Sequence, residues 1–403
     1  MKHAERTRMR MAGIVLSLAA AIGILLEFAP PSPGKANAFA AEELSLHSES
    51  AILVDAGTGG VLYEKNSTQK MYPASITKIV TALVAIENGN LDDPVKVSAH
   101  ARNVEGTRVY LLEGEVVTMR KLLQGLLINS GNDAAIAIAE HIDGSERAFA
   151  ERMNRFMEKI GAVSSHFENP HGLFDENHVT TALDMAKVMR YARSNPVFME
   201  ISGTKELDWK GEGWETRLYN HHELIRQDER VKAGKNGYID QSGHTLVTYA
   251  SDEGKEFIVV VLKAPSARHA YDDTGKLLDA AFTHTDTATI GAPRLYDAHG
   301  KQYLLYEPVA FQYLKNTSWK ETVGEDGTLI IEGEYGTLAE HPLVEQPGMP
   351  DMKEAVRTAA VTASPEISAK RHAGLPLFAW MFLAAAALWA MRRYLRRLRR
   401  LRK

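Results

Sequence analysis

The 403-residue chain contains no cysteine. That excludes disulfides, thiolate nucleophiles, iron–sulfur clusters and every zinc site needing a Cys ligand. It also lacks net positive charge over most of its length. The formal net charge is −4, but residues 392–403 (RRYLRRLRRLRK) carry +8 and residues 1–40 carry +3, which leaves −15 for residues 41–391. A nucleic-acid binder needs a basic face on its folded part, so no nucleic-acid partner is expected. There is no H-E-x-x-H segment. The adjacent His221, His222 and Glu223 point apart on a helix or a strand, so they read as a solvated cluster and no metal is expected. Glu140 and Asp143 have no partner carboxylate that can be placed, which removes a glycosidase pair. No internal repeat is visible, and nothing in the chain calls for a cofactor.

What is present begins at the two ends. Lys2, Arg6, Arg8 and Arg10 precede an apolar stretch over residues 11–26, and Ala38-Phe39-Ala40 follows. A basic start, an apolar middle and an A-x-A site make up the layout of a secretory signal peptide, with cleavage expected before Ala41. At the other end, residues 375–391 form an uncharged apolar run of 17 residues. As a helix it reaches roughly 25 Å, the short limit for crossing a bilayer core. The Arg-rich tail after it belongs on the cytoplasmic side by the positive-inside rule, and the acidic middle outside. Both ends therefore describe an exported protein held at the cell membrane.

Between the ends, residues 51–55 and 61–65 flank a Gly-rich turn and read as paired strands. Helical periodicity begins near Ser75 and returns over 119–128, 133–142, 146–160 and 182–194. Strand character comes back at 244–250 and 257–264, and 270–283 reads as a closing helix. Strands that open and close a run of helices suit a mixed α/β (α+β) layer structure with an antiparallel sheet. From about residue 285, short β-type runs alternate with Asp-Gly and His-Gly turns, as in a small β domain. Residues 345–374, rich in Pro, Ala, Thr and Glu, read as a stalk. The expected organisation is a signal peptide (1–40), a catalytic domain (41–284), a β-rich domain (285–344), the stalk (345–374), a membrane helix (375–391) and a basic tail (392–403).

Three short motifs carry the chemistry. Ser75-Ile76-Thr77-Lys78 places a hydroxyl and an amine three residues apart, on one face of a helix, where the amine can take the proton that makes serine a nucleophile. S-x-x-K is a cheap pattern, and it also starts at Ser32, Ser67 and Ser202. Only the Ser75 copy opens a strong helical tract; standing alone, it would read sooner as a Ser helix cap with a solvated Lys. Ser130-Gly131-Asn132 follows an apolar helix, where glycine permits a turn that aims a hydroxyl and an amide into one cleft; a plain helix–helix turn would look the same. Lys235-Asn236-Gly237-Tyr238 offers a cation, a hydrogen-bonding side chain and a glycine on a strand edge, or else an ordinary Asn-Gly turn.

Together and in this order the motifs resemble the S-x-x-K, S-x-N and K-[ST]-G set of the active-serine penicillin-recognising enzymes. Residues 45–284 resemble one branch in particular, the serine D-alanyl-D-alanine carboxypeptidases, low-molecular-mass penicillin-binding proteins. The segments 55–59 (DAGTG), 61–66 (VLYEKN), 73–78 (PASITK), 129–135 (NSGNDAA) and 169–173 (NPHGL) carry that likeness. It implies a penicillin-binding/β-lactamase-like transpeptidase fold, an antiparallel sheet with helices on both faces, and a small C-terminal β domain. It implies Ser75 as the nucleophile, Lys78 as its base and Ser130 as a proton relay to the leaving D-alanine. Asn132 would bind the peptide amide, Lys235, Asn236 and Gly237 would hold the terminal carboxylate, and the N–H groups of Ser75 and Tyr238 would form the oxyanion hole. The substrate would be a peptidoglycan stem peptide ending in D-Ala-D-Ala, with β-lactams as inhibitors. His171, between Pro170 and Gly172, is assigned a structural turn role.

The chain departs from the pattern at one place, because Asn236 stands where the third motif has Thr or Ser. Two other function classes stay open on the sequence: a class A type β-lactamase, which would need a deacylating Glu, and a non-catalytic binder of penicillin or peptidoglycan.

Overall fold

The computed structural model describes residues 44–346. The expected signal peptide, most of the stalk, the membrane helix and the basic tail lie outside the described residues. Five strands make the central sheet: β1 (Ser50–Asp55), β2 (Val61–Lys65), β3 (Val231–Ile239), β4 (Gly243–Asp252) and β5 (Lys255–Ala264). They are antiparallel in the order β2-β1-β5-β4-β3. β5 reads almost continuously apolar because it is central and covered on both sides. Its residues alternate between two cores: Ile258, Val260 and Leu262 point to one, and Phe257, Val259 and Val261 to the other.

The first core is helical. It takes in α1 (Thr77–Asn88), α2 (Met119–Ile128), α3 (Asn132–Asp143), α4 (Glu146–Lys159), α5 (Ala182–Ala192) and α6 (Pro196–Ser202). Every residue of α1 from Thr77 to Ala85 is buried, the polar Thr77, Lys78 and Thr81 included, so this helix is covered nearly all round and threads the middle of the layer. Its neighbours are started by side-chain caps: Thr118 accepts from Lys121 N, Ser145 from Ala148 N and Thr181 from Asp184 N. The second core lies between the other sheet face and α7 (Ala267–His284), and the strands beyond residue 285 add Leu305, Phe311, Leu329, Ile331 and Leu338 to it. Those strands form two- and three-stranded antiparallel sheets, with Thr285–Ile290 on Val309–Leu314 and Lys320–Val323, Thr328–Glu332 and Thr337–Pro342 in one ribbon. The antiparallel sheet with helices on both faces is therefore observed.

Several elements differ from the sequence expectation. Ser75 lies in a 3-10 turn (Ala74–Ile76), and the α-helix proper begins at Thr77. The third motif has its own strand, β3, whose Lys, Asn and Gly residues carry little β-propensity. A hairpin, Glu206–Lys210 with Glu215–Tyr219, was invisible because its strands are largely charged. Of the His221-His222-Glu223 cluster, His221 and Glu223 are exposed but His222 is corrected: it is fully buried, with Nε2 2.8 Å from Thr248 Oγ1 and its ring against Tyr271.

Candidate active site

β3 is an edge strand of the sheet, and the 3-10 turn bearing Ser75 packs directly beside it. Gly237 makes that approach possible. A Cβ there would stand 2.7 Å from Ser75 N and 2.7 Å from Thr245 Oγ1, closer than any side chain tolerates. Thr245, opposite Gly237 on β4, donates to Pro73 O at 2.9 Å and ties the turn to the sheet. Ala74 takes φ +52° and Ser130 takes φ +63°, conformations that cost an L-residue roughly 1–3 kcal/mol each and concentrate at functional sites.

Lys78 is completely buried at the centre. Its Nζ lies 2.9 Å from Ser75 Oγ, 2.7 Å from Asn132 Oδ1 and 2.7 Å from the carbonyl oxygen of His171. Burial first, and the charge of Lys235 second, hold the amine well below the ordinary lysine range, with Asp133 pulling the other way. Asn132 is engaged at both ends of its amide, since its Nδ2 donates to Glu105 O at 2.7 Å. Asp133 is buried too and accepts from the N–H groups of Val109, Leu111 and Ala134, which pins the 105–111 loop against the start of α3. Desolvation raises the Asp133 pKa, and those backbone bonds oppose it.

Lys235 is 1% exposed, and burial pushes its pKa down to about 7. Its Nζ donates to Asn236 O at 2.8 Å and to Asn236 Oδ1 at 3.1 Å. A lysine needs an oxygen in front of it, so the Asn236 NH2 group is left facing away with two donor hydrogens. Tyr238 is half exposed, bonded through its hydroxyl to Asp240 and packed on His244 with ring centroids 4.5 Å apart.

Ser75, Lys78 and Asn132 thus meet in one hydrogen-bonded group, Gly237 abuts Ser75, and Lys235 joins Asn236. Residues given no part in the chemistry by the sequence hold them there. The His171 carbonyl is a ligand of Lys78, although His171 had been assigned only a turn. Asp133 and Thr245 anchor the second and third motifs. Asp133 carried a signal in hindsight, as an acid in the first turn of an apolar helix directly after the second motif; Thr245 carried none.

A profile of the D-alanyl-D-alanine carboxypeptidase family matches residues 37–266. The D-alanyl-D-alanine carboxypeptidase DacF of Bacillus subtilis is 32% identical over 367 residues, covering 83% of this chain and 93% of that protein. The crystal structure of penicillin binding protein 6B from Escherichia coli is similar with a TM-score of 0.60 at 28% identity, over 79% of this chain and 98% of that one. A D-alanyl-D-alanine carboxypeptidase structure from Mycobacterium tuberculosis H37Rv gives a TM-score of 0.55 at 28% identity, over 58% of this chain and 90% of that one. The motif order, the buried lysine bonded to Ser75 and a likeness that spans most of the chain agree: this chain belongs to the D-alanyl-D-alanine carboxypeptidases, serine hydrolases of the penicillin-binding type.

Proposed function

We propose that the chain removes the terminal D-alanine from peptidoglycan stem peptides through an acyl-enzyme on Ser75. The observation that carries this is the buried Lys78 amine, 2.9 Å from Ser75 Oγ and held low in pKa by its surroundings. A neutral amine at that distance takes the hydroxyl proton as Oγ attacks the carbonyl carbon of the penultimate D-Ala. The resulting oxyanion lies between the N–H groups of Ser75 and Tyr238, two backbone segments that Gly237 allows to approach. Ser130 relays the proton held by Lys78 to the departing D-alanine nitrogen as the C–N bond breaks, which leaves Ser130 protonated and Lys78 neutral again. Water then attacks the ester, and its proton returns through Lys78 as Ser75 Oγ leaves. Asn132 Oδ1, which has a second lone pair beyond the one facing Lys78, accepts from the peptide N–H. The substrate's terminal carboxylate meets the Lys235 ammonium and the outward NH2 of Asn236. β-Lactams acylate the same serine.

The Asn236 departure does not favour the non-catalytic alternative, because its amide still offers donors. The β-lactamase alternative calls for a water-activating Glu. The partners of Lys78 Nζ among the described residues are Ser75, Asn132 and His171, with no carboxylate among them.

We further propose that residues 1–40 direct export and that residues 375–391 with the basic tail hold the enzyme at the membrane, its catalytic residues on the outer side. The division into a catalytic domain (41–284), a β-rich domain (285–344) and a stalk (345–374) belongs to the same proposal. No helix among the described residues is long and apolar enough to cross a membrane.

The deciding experiment incubates the protein with a D-Ala-D-Ala peptide, assays free D-alanine, and follows fluorescent-penicillin labelling of wild type and Ser75→Ala. Release of D-alanine, with labelling lost in Ser75→Ala, is the expected outcome. Labelling that persists in folded Ser75→Ala would sink the nucleophile assignment.

A further inference from the structure

The carbonyl that holds Lys78 belongs to a short loop, residues 169–173, whose conformation is set by side chains. Asn169 Oδ1 accepts from Gly172 N at 2.7 Å and His171 N at 3.3 Å, and Asn169 Nδ2 donates to Leu173 O at 3.1 Å. Gly172, at φ +87°, lies so close to Ala74 that a Cβ would fall 1.9 Å from its carbonyl oxygen, so the loop is wedged against the residue preceding Ser75. The His171 ring closes the loop. Its Nδ1 accepts from Leu173 N at 3.2 Å, which requires a lone pair there and puts the ring proton on Nε2. Nε2 lies 3.1 Å from Glu146 Oε2, and the other Glu146 oxygen bonds the exposed His100. The His171 side chain is 8% exposed and that of Glu146 21%.

We propose that Glu146 and His171 are a positioning pair for the reaction: the Glu146 carboxylate orients the His171 imidazole, the imidazole fixes the loop, and the loop's carbonyl aims the Lys78 amine at Ser75. This rests on the reading of Ser75 and Lys78 given above and deepens it. Neither residue touches substrate. Glu146 opens α4, a different element from those bearing the three motifs, so the base is held from a helix that contributes nothing else to the site.

The arrangement also makes the site sensitive to acid. A doubly protonated His171 would turn an N–H toward the Leu173 N–H, and two donors repel. The bond that closes the loop is therefore available only to the neutral ring. The groups facing the ring are Glu146 on α4, His100 from the short helix Ala99–Asn103, Lys78 on α1 and the buried His178. Burial holds His171 below the ordinary histidine range, Glu146 pulls it back up, and Lys78 and His100 push it down. Removing the Glu146 charge therefore lets the neutral ring persist to lower pH.

The test measures D-alanine release and penicillin acylation against pH for Glu146→Ala and Glu146→Gln in the full chain. Glu146→Ala leaves the ring unoriented and should lower kcat about tenfold or more at neutral pH, with KM little changed, the scale expected for misplacing a catalytic group. Glu146→Gln keeps an acceptor for Nε2–H. It should restore kcat to within about threefold of wild type, well short of a misplaced group, while moving the acid limb of the profile to lower pH. A merely structural Glu146 would change the folded fraction and leave the profile of the folded enzyme where it was. If Glu146→Ala does not fold, Glu146→Gln decides alone, and an unmoved acid limb overturns the proposal. Folded Glu146→Ala with wild-type kcat overturns it too. A wild type that releases no D-alanine and takes up no penicillin overturns the underlying Ser75 reading, and the pair's role with it; a working wild type with indifferent variants overturns the pair alone.

Discussion

Asn236 is where a single residue decides most, because it replaces the hydroxyl residue of the third motif while still carrying donor hydrogens. On the proposed reading Asn236→Ala removes a hydrogen bond to the charged carboxylate of the substrate. It should lower kcat/KM by about 10- to 150-fold, the equivalent of about 1.5–3 kcal/mol. Asn236→Thr restores a hydroxyl donor and should keep or raise both D-alanine release and acylation by penicillin. Flat D-alanine assays for both wild type and Asn236→Thr, in folded protein, would leave only the non-catalytic alternative. The neighbouring Lys235 sets a pH dependence whose sign follows from its pKa of about 7. Below that value the amine is charged and attracts the substrate carboxylate; above it the charge is lost. As the proposed base, Lys78 acts in its neutral form, and it is held well below the ordinary range. A plot of kcat/KM against pH should therefore rise on the acid side, where His171 and Lys78 lose their protons, and fall again from about pH 7, the two limbs reporting the free enzyme. Activity that keeps climbing to pH 9 would contradict the Lys235 assignment.

At the scale of elements, the site is a seam between an edge strand and a helix start. An edge strand leaves N–H and C=O groups unpaired along one side, and a peptide substrate can lie there as an added strand. The helix start needs Ala74 at positive φ, so Ser75 is presented from a strained turn rather than from the body of α1. Gly237→Ala tests the seam. Its new methyl would press on Ser75 N, Thr245 Oγ1 and Ala74 Cβ, and the strand and turn must part to admit it. Acylation should fall by about 10²-fold, the cost of misplacing reacting groups by roughly an ångström. The far-UV circular dichroism spectrum should stay that of wild type, because β3 keeps its ladder to β4. An undiminished acylation rate would mean that the approach of β3 to Ser75 does not matter.

For the whole molecule, the strands after residue 285 share a core with the sheet. Leu329, Ile331 and Leu338 pack in one cluster with Leu53, Leu62 and Phe257, and a Cβ on Gly60 would fall 2.1 Å from Leu338 O. Burying each such aliphatic side chain is worth roughly 1.5–3 kcal/mol. Deleting residues 285–346 should therefore lower Tm and expose apolar surface, read as dye binding. Deleting residues 371–403 should behave oppositely, releasing a soluble protein with full D-alanine-releasing activity. If that shorter protein still sediments with membranes after a high-salt wash, the anchor lies elsewhere, most simply in an uncleaved N-terminus.

Much of this was legible in the sequence because it depended on local pattern. The helices at 119–128 and 146–159, the opening strand pair and the closing β4–β5 hairpin follow from apolar spacing and turn residues, which act within a few neighbours. Ser75 and Lys78 stood out as candidates because the other two motifs follow them in order; a 3-10 turn running into α1 brings the two side chains together. The third motif's strand was not legible: Lys235, Asn236 and Gly237 form β3 through their ladder to Val247, Leu246 and Thr245, partners that their own residue types do not announce. The sequence by itself determined the chemistry, through residue types whose functional groups are present in any fold. Only the tertiary structure decided which groups are desolvated and which meet. Lys78 is low in pKa because other elements bury it and set Lys235 near it, and its amine points at Ser75 because residues 54 and 93 positions away supply Asn132 Oδ1 and the His171 carbonyl.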